Sequence, residues 1–307
     1  MRIFWAEMHG TLTPNMAIAF KNLGHRMLLA DESFKDVIRY GLKWSKADAL
    51  SRFQGNVDSV SVQELQDNPP DVLVITCWEV LHDMLRLIPA FPNAKIVYYA
   101  GNNGVPYPHE LVKNLLVADV VTYEQFKSAP HNVFYLPYMD YENFPYVGPS
   151  AELNINSYIV NYKVHFTPGY NIIKELEAKT PYIKYNIFDG NVHRSELPNL
   201  MQHSMATAHL KHAEGYGYTI LESLSSGRPV LLFTPYTIDR SYTKWCLPNK
   251  SALYFNTAEE YFGHVNRLLS DEDFRCELQE STAKTVREIV NNEEQGEILK
   301  RFLENLI

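Results

Sequence analysis

Short runs of apolar, β-branched and aromatic residues recur along this chain, and most are apolar throughout instead of alternating with polar residues. A strand with one face in water alternates; a run that is apolar on both faces has to be covered on both. "RIFWAE" (2–7), "RMLLA" (26–30), "DVLVITC" (71–77), "KIVYYA" (95–100), "DVVTY" (119–123) and "NVFYL" (132–136) read as strands in the first half. "YIVNY" (158–162), "IKYNIF" (183–188), "MATAHL" (205–210), "PVLLF" (229–233) and "ALYF" (252–255) do so in the second. Helix-like segments separate them, and strand–helix alternation implies right-handed crossovers and doubly wound parallel sheets.

The series restarts once. "PYMDYENFPYVGPSAELNIN" (137–156) is rich in proline and has neither a helical nor a strand period, which marks a linker. The expected domains are 1–150 and 151–307, and a chain of 307 residues is long enough for both. The final segment, "DEDFRCELQESTAKTVREIVNNEEQGEILKRFLENLI", has a helical period with its expected break at Asn291-Asn292. The last helix can then return to pack on the first domain.

Composition narrows the classes. With 46% hydrophobic and 21% charged residues the chain reads as globular, not disordered. No apolar run approaches the roughly 20 residues of a membrane-spanning helix, and "MRIFWAEMHGT" has no signal-peptide pattern. Cys77, Cys246 and Cys276 have no paired spacing, which suits a reducing compartment; a cytoplasmic location is expected. The net charge of −8 is divided evenly between the halves, unlike that of a basic nucleic-acid protein.

The chemistry concentrates in "HLKHAEGYGYTILESLSSGRPVLLF" (209–233). A buried-type strand runs into a Gly-rich bend, then a short helix with Ile220, Leu221 and Leu224 at helical spacing, then Gly227 as its C-terminal cap and Pro229 opening the next strand. Gly215 and Gly217 let the backbone turn sharply and approach a ligand closely. The N–H groups and dipole at the helix start make an anion site, at the sheet edge where open parallel sheets bind ligands. Two carboxylates beside such a site, Glu214 and Glu222, ask for a ligand with hydroxyls as well as phosphates, because an ionised Glu only accepts hydrogen bonds. A nucleotide-sugar meets all three demands, with Glu222 reaching a ribose and Glu214 a second sugar.

The same segment resembles the E-G-[FY]-G-x4-E-A-x3-G-x-P-V signature of retaining glycosyltransferases of GT-B architecture, especially the family 4 group. Glu214, Gly215, Tyr216, Gly217, Glu222, Gly227, Pro229 and Val230 match it, while Ser223 replaces the usual Ala. "EMHGTLTPNMAIAFKNLGHRMLLA" is similar to the family's first loop and helix, "LPYMDYENF" to its interdomain strand end, and "GHVNRLLSDEDFRCELQESTAK" to its penultimate helices. The resemblance implies an α/β fold of two Rossmann-like doubly wound domains facing across a cleft, with the acceptor on the first and the nucleotide-sugar on the second. It implies sugar transfer to an acceptor hydroxyl with retention, from a UDP- or GDP-sugar, without a cofactor. Donor contacts then fall on Gly10, Gly215, Tyr216, Gly217, Tyr218, Thr219 and Glu222.

Departures from the pattern matter too. The family carries an Arg and a Lys a few residues apart after the first strand of the second domain; here "NYKVHFTPGYN" puts Lys163 near the Arg position and Pro168 where the Lys would stand. Lys211, just before Glu214, is the substitute cation, so Glu214, Lys163 and Lys211 form the expected catalytic set. The family's first-domain histidine has no clear match; His9, Asn102 and Asn103 are the acceptor-side candidates. A D-x-D pair, the metal-holding device of the other glycosyltransferase architecture, occurs only as Asp271-Glu272-Asp273, which reads as a helix start. No His/Cys cluster has ligand spacing either, and no catalytic metal is expected.

Lys35, Arg39, Lys43 and Lys46 follow one another at steps of four, four and three, sharing a helix face next to Tyr40 and Trp44. Such a face is ordinarily just solvated. It also suits an anionic acceptor, either a lipid-linked sugar at a membrane surface or the phosphates of nucleic acid, as in phage enzymes that glycosylate hydroxymethylated DNA bases. A non-catalytic sugar-nucleotide-binding protein and a nucleotide-sugar epimerase are the other readings. A dinucleotide dehydrogenase is disfavoured, since "HGTLTPN" and not G-x-G-x-x-G follows the first strand.

Overall fold

The computed structural model of the chain describes residues 1–5, 12–34, 57–76, 85–101, 110–136, 138–158, 167–188, 192–212 and 216–307. The chain divides into two compact units: Met1–Tyr138 together with Asn292–Ile307, and Met139–Asn291.

In the first unit, seven strands are described: β1 (Arg2–Trp5), β2 (Arg26–Ala30), β3 (Val57–Val60), β4 (Val72–Ile75), β5 (Lys95–Ala100), β6 (Asn114–Val117) and β7 (His131–Phe134). They form one parallel sheet in the order β3-β2-β1-β4-β5-β6-β7. Phe4, Leu28, Leu73, Tyr98 and Leu115, one from each of five neighbouring strands, form a single buried cluster. The apolar runs thus become inner strands, as their composition requires.

Two expectations fail here. The run at 119–123 is not a strand: Val120–Gln125 is a helix, because the Asp119 carboxylate accepts the Thr122 N–H at 2.7 Å and caps it. The strand lies just upstream, in β6. Beyond it, β3 and β6 were passed over, since "VDSV" interrupts its apolar residues and "NLLV" is only four residues long.

The second unit carries β8 (Asn154–Tyr158), β9 (Lys184–Phe188), β10 (Ala206–His209), β11 (Val230–Phe233) and β12 (Ala252–Phe255), all parallel, in the order β12-β11-β10-β8-β9. β8 is the polar run "NINSY", which shares only Tyr158 with the strand expected at 158–162. Residues 159–166 lie outside the described ones. Ile155, Ala206, Ala208, Leu231 and Leu253 make the centre of the core, closed by Leu176, Val265 and Leu268 from flanking helices.

Among the described helices, α1 (Leu12–Asn22), α2 (Val62–Asp67) and α3 (Val120–Gln125) belong to the first unit. The second unit has α4 (Thr167–Lys179), α5 (Leu197–Gln202), α6 (Tyr218–Ser225), α7 (Ala258–Ser270) and α8 (Glu272–Ile289). The chain breaks after Ile289, and α9 (Asn292–Glu304) belongs to the first unit. There Gln295 Oε1 accepts the Leu136 N–H at 2.9 Å, Phe302 stacks on His131 at 4.7 Å, and Ile307 exchanges bonds of 2.9 and 3.1 Å with the Asn114 amide.

Candidate active site

In the order β12-β11-β10-β8-β9 the chain changes direction between β8 and β10: β9 lies on one side of β8, and the later strands lie on the other. Ligands of open parallel sheets bind beyond the carboxyl ends of the strands at such a switch point. The Gly-rich segment leaves the carboxyl end of β10 and becomes α6, so topology alone brings it to that edge.

Gly217 stands at the start of α6 with φ of 76°, the left-handed region, and a Cβ there would lie 2.9 Å from Ile220 Cδ1. The residue at the helix start is a glycine, which has no side chain with which to cap it, and the positive end of the helix dipole is directed at the sheet edge. Tyr216 is buried, its ring edge-on to Trp245 at 5.2 Å and to Tyr218 at 5.0 Å. The aromatic position of the motif thus anchors the turn in the core. Tyr218 and Thr219 are half-buried at the start of the helix.

Glu222 lies one turn further on and is fully buried. Its charge reaches Tyr158 at the end of β8: burial pushes that phenol up, the Asn156 hydrogen bond opposes the rise, and the Glu222 carboxylate adds to it. The Asn156 amide donates to Tyr158 Oη at 2.7 Å and to the Leu200 carbonyl at 2.9 Å, and accepts from Asn186 at 2.8 Å. Tyr158 stacks on Phe188 at 5.0 Å, so the ends of β8 and β9 present a hydrogen-bonded aromatic pair.

The seat of α6 is polar as well. The Ser223 hydroxyl bonds Thr207 Oγ1 on β10 at 2.6 Å and the Arg228 carbonyl at 3.1 Å, a use for the serine that replaces the family's alanine. Ser225 donates to the Phe144 carbonyl at 2.6 Å. Gly227, with φ of 74°, closes the helix where a Cβ would stand 2.3 Å from Tyr146 Cδ2. Arg228, between that glycine and β11, is buried; it donates to the carbonyls of Met201 (3.1 Å), Gly148 (3.1 Å) and Gln202 (2.9 Å), and burial pulls its guanidinium down to about 10.

Lys211 is half-buried just beyond β10, beside His212, whose carbonyl accepts from Arg240 Nη2 at 3.1 Å. The structure therefore brings Lys211, Tyr216, Gly217, Tyr218, Thr219 and Glu222 to one sheet edge. Glu214, Gly215, Lys163, His9, Gly10, Lys35, Arg39, Lys43, Lys46, Asn102 and Asn103 lie outside the described residues. Sequence reasoning missed Asn156, Tyr158, Arg228 and Arg240; the paired asparagines in "NIN" were the only signal, as polar residues inside a strand that is otherwise covered. Asp271 caps α8 by accepting the Phe274 N–H at 3.0 Å, so the acidic triplet is a helix start. Among the described residues no group of His, Cys, Asp or Glu is arranged to hold a metal, and no helix is long and apolar enough to cross a membrane.

Residues 171–289 match the family model described as glycosyl transferases group 1, a stretch that contains Glu214 and Glu222. No curated protein sequence matches the chain. Among solved structures, HepE of Anabaena in complex with UDP and glucose is similar over 100% of both chains, with TM-score 0.66 and 12% identity. A variant of S. aureus TarM in complex with fondaparinux, α-GlcNAc-glycerol and UDP has TM-score 0.72 and 9% identity, over 98% of this chain and 99% of that one. Sucrose-phosphate synthase from Thermosynechococcus elongatus has TM-score 0.67 and 11% identity, over 100% and 99%. Identities this low speak for the fold, which is GT-B with two Rossmann-like units. With the group 1 segment set in the second of those units, the chain is a glycosyltransferase.

Proposed function

We propose that the enzyme moves a sugar from a nucleotide-sugar, of UDP or GDP type, to an acceptor hydroxyl with retention at the anomeric carbon. The observation that carries this reading is the buried Glu222 on a helix that starts at Gly217, beside the switch point of the second sheet. A carboxylate recognises ribose hydroxyls, and the N–H groups of Gly217 to Ile220 face developing negative charge. The UDP in the HepE and TarM structures favours the same donor class.

In this mechanism the acceptor oxygen bonds to the anomeric carbon as the carbon–phosphate oxygen bond breaks. The bonding pair leaves with the diphosphate, which takes the acceptor's proton on the same face. No protein nucleophile, metal or cofactor is invoked. The residues' task is electrostatic: Lys211 and Lys163 oppose the charge on the diphosphate, the helix start solvates it, and Glu214 holds the transferred sugar. The acceptor is a glycan, a lipid-linked sugar or a small molecule, met through the first unit's His9, Asn102 and Asn103, with the basic face of Lys35, Arg39 and Lys43 available to an anionic surface. The compartment proposed is the cytoplasm.

A thermal-shift series with UDP-, GDP-, ADP- and CMP-sugars tests the donor, since a ligand of the folded state raises its apparent stability. Stabilisation by one nucleotide class is expected, and the absence of any shift overturns the reading. NMR of the first-formed product tests retention; an inverted linkage overturns it.

A further inference from the structure

Between β11 and β12 the chain does not cross directly; residues 234–244 fold into two short 3₁₀ turns at the carboxyl edge of the sheet. Their geometry is closely determined. The Arg240 N–H donates to the Thr237 carbonyl at 3.2 Å, and the Arg240 carbonyl accepts from Thr243 through its N–H (3.2 Å) and its hydroxyl (2.7 Å). Asp239, just before Arg240, takes the left-handed conformation with φ of 56°, which Asp tolerates better than most residues. Tyr242 is the anchor: it is buried, edge-on to His209 at 5.8 Å, and its hydroxyl donates to the Tyr236 carbonyl at 3.0 Å.

From this platform two side chains reach His212. Arg240 Nη2 donates to its carbonyl at 3.1 Å, and the Tyr236 ring meets its imidazole edge-on at 5.1 Å. Four residues on, Tyr216 is held by Trp245, which belongs to the same crossover. One crossover therefore holds both His212, next to Lys211, and Tyr216, next to the start of α6.

We propose that Arg240 is a positioning residue for the chain that leaves β10, fixing the His212 carbonyl and through it the placement of Lys211. The proposal rests on the nucleotide-sugar reading for its catalytic consequence, but not for the contact itself. Arginine suits the task because its planar fork reaches a carbonyl without having to reach the ligand.

The test combines hydrogen exchange with kinetics on the full chain, using wild type, Arg240→Ala and Arg240→Lys. The peptide covering 209–217 is expected to exchange faster in Arg240→Ala, and to an intermediate degree in Arg240→Lys, while the peptide over β12 stays as in wild type. With the nucleotide-sugar that stabilises the wild type, kcat of Arg240→Ala is expected to fall by about 10²-fold, the effect of a misplaced catalytic group, with little change in KM. Arg240→Lys, or free guanidinium added to Arg240→Ala, recovers part of the loss. Unchanged exchange at 209–217, or wild-type kcat in Arg240→Ala, overturns the proposal; if Arg240→Ala fails to fold, the same readings on Arg240→Lys decide. If the wild type uses no nucleotide-sugar, the functional reading falls and the exchange data alone still decide the contact.

Discussion

The two sheets are wound the same way, yet they differ in what their helices cover. In the first unit several of the buried polar side chains described are structural fasteners: Asp119 caps a helix, Gln295 accepts the Leu136 N–H, and Asn114 bonds Ile307. In the second unit Asn156, Thr207, Glu222, Ser223, Ser225 and Arg228 are all buried within or next to β8, β10 and α6. Polar groups taken from water cost free energy unless they are hydrogen-bonded, so a chain tolerates such a concentration where it has another use. The difference separates a unit stabilised chiefly by apolar packing from one whose packing also holds chemistry in place.

The largest test of that separation is removal of residues 292–307. It strips Leu299, Phe302 and Leu303, all buried, from the first unit. At about 2 kcal/mol for each side chain, the loss approaches a domain's whole margin of about 5–15 kcal/mol. Calorimetry of chain 1–291 is expected to show the first unit's transition gone and the second unit's kept; two surviving transitions break the comparison.

Gly227→Ala probes the second unit alone. A methyl 2.3 Å from Tyr146 and 3.0 Å from the Gln279 carbonyl, on a left-handed backbone, is expected to cost about 3 kcal/mol. Gly217→Ala meets only the Ile220 side chain, at 2.9 Å from Cδ1, and no backbone atom, and is expected to cost less, about 1–2 kcal/mol. Equal melting temperatures for the two variants count against the tightly packed seat of α6.

Glu222→Gln sharpens the chemical side. Loss of a charge-assisted hydrogen bond is expected to weaken UDP binding by about 2 kcal/mol, or about 30-fold in Kd, with the first unit's transition unmoved. Titration calorimetry reads it, and wild-type affinity removes the ribose role.

The finest contrast is one of slope in alkali. Burial raises the phenols of Tyr99 and Tyr135 in the first unit, and of Tyr141, Tyr158 and Tyr261 in the second. A phenol whose folded value lies above its unfolded one, near 10, contributes stability that is complete below that pH. As pH rises further the unfolded chain releases its protons first, and the contribution is lost. Both transitions are expected to fall above about pH 10, the second more steeply; parallel slopes contradict this.

Which parts were legible in the sequence follows the same physics. Strands covered on both faces, such as "KIVYYA" and "PVLLF", announce themselves because nothing polar interrupts them. β8 did not, since three of its five residues are Asn or Ser, and one of them, Asn156, is used by the site's hydrogen bonds. The run at 119–123 misled because Val-Val-Thr-Tyr has strand composition, whereas one carboxylate cap decides for a helix. The donor turn was legible because Gly217 occupies a left-handed backbone position that other residues strain to reach. The Arg240 contact was not, because it depends on a crossover whose sequence, "TPYTIDRSYTK", carries turn residues and no period.

The return of α9 to the first unit has a consequence for how the protein is made. The second unit, Met139–Asn291, is an insertion in a unit built from the segments on either side of it. Synthesis proceeds from the N-terminus, and domains generally fold as units once their sequence has emerged. Here the nascent chain delivers the whole first sheet early, but withholds Gln295, Phe302 and Ile307 until the entire second unit has been made. The first unit is completed only after the second, and until then its sheet lacks the helix that packs on β6 and β7.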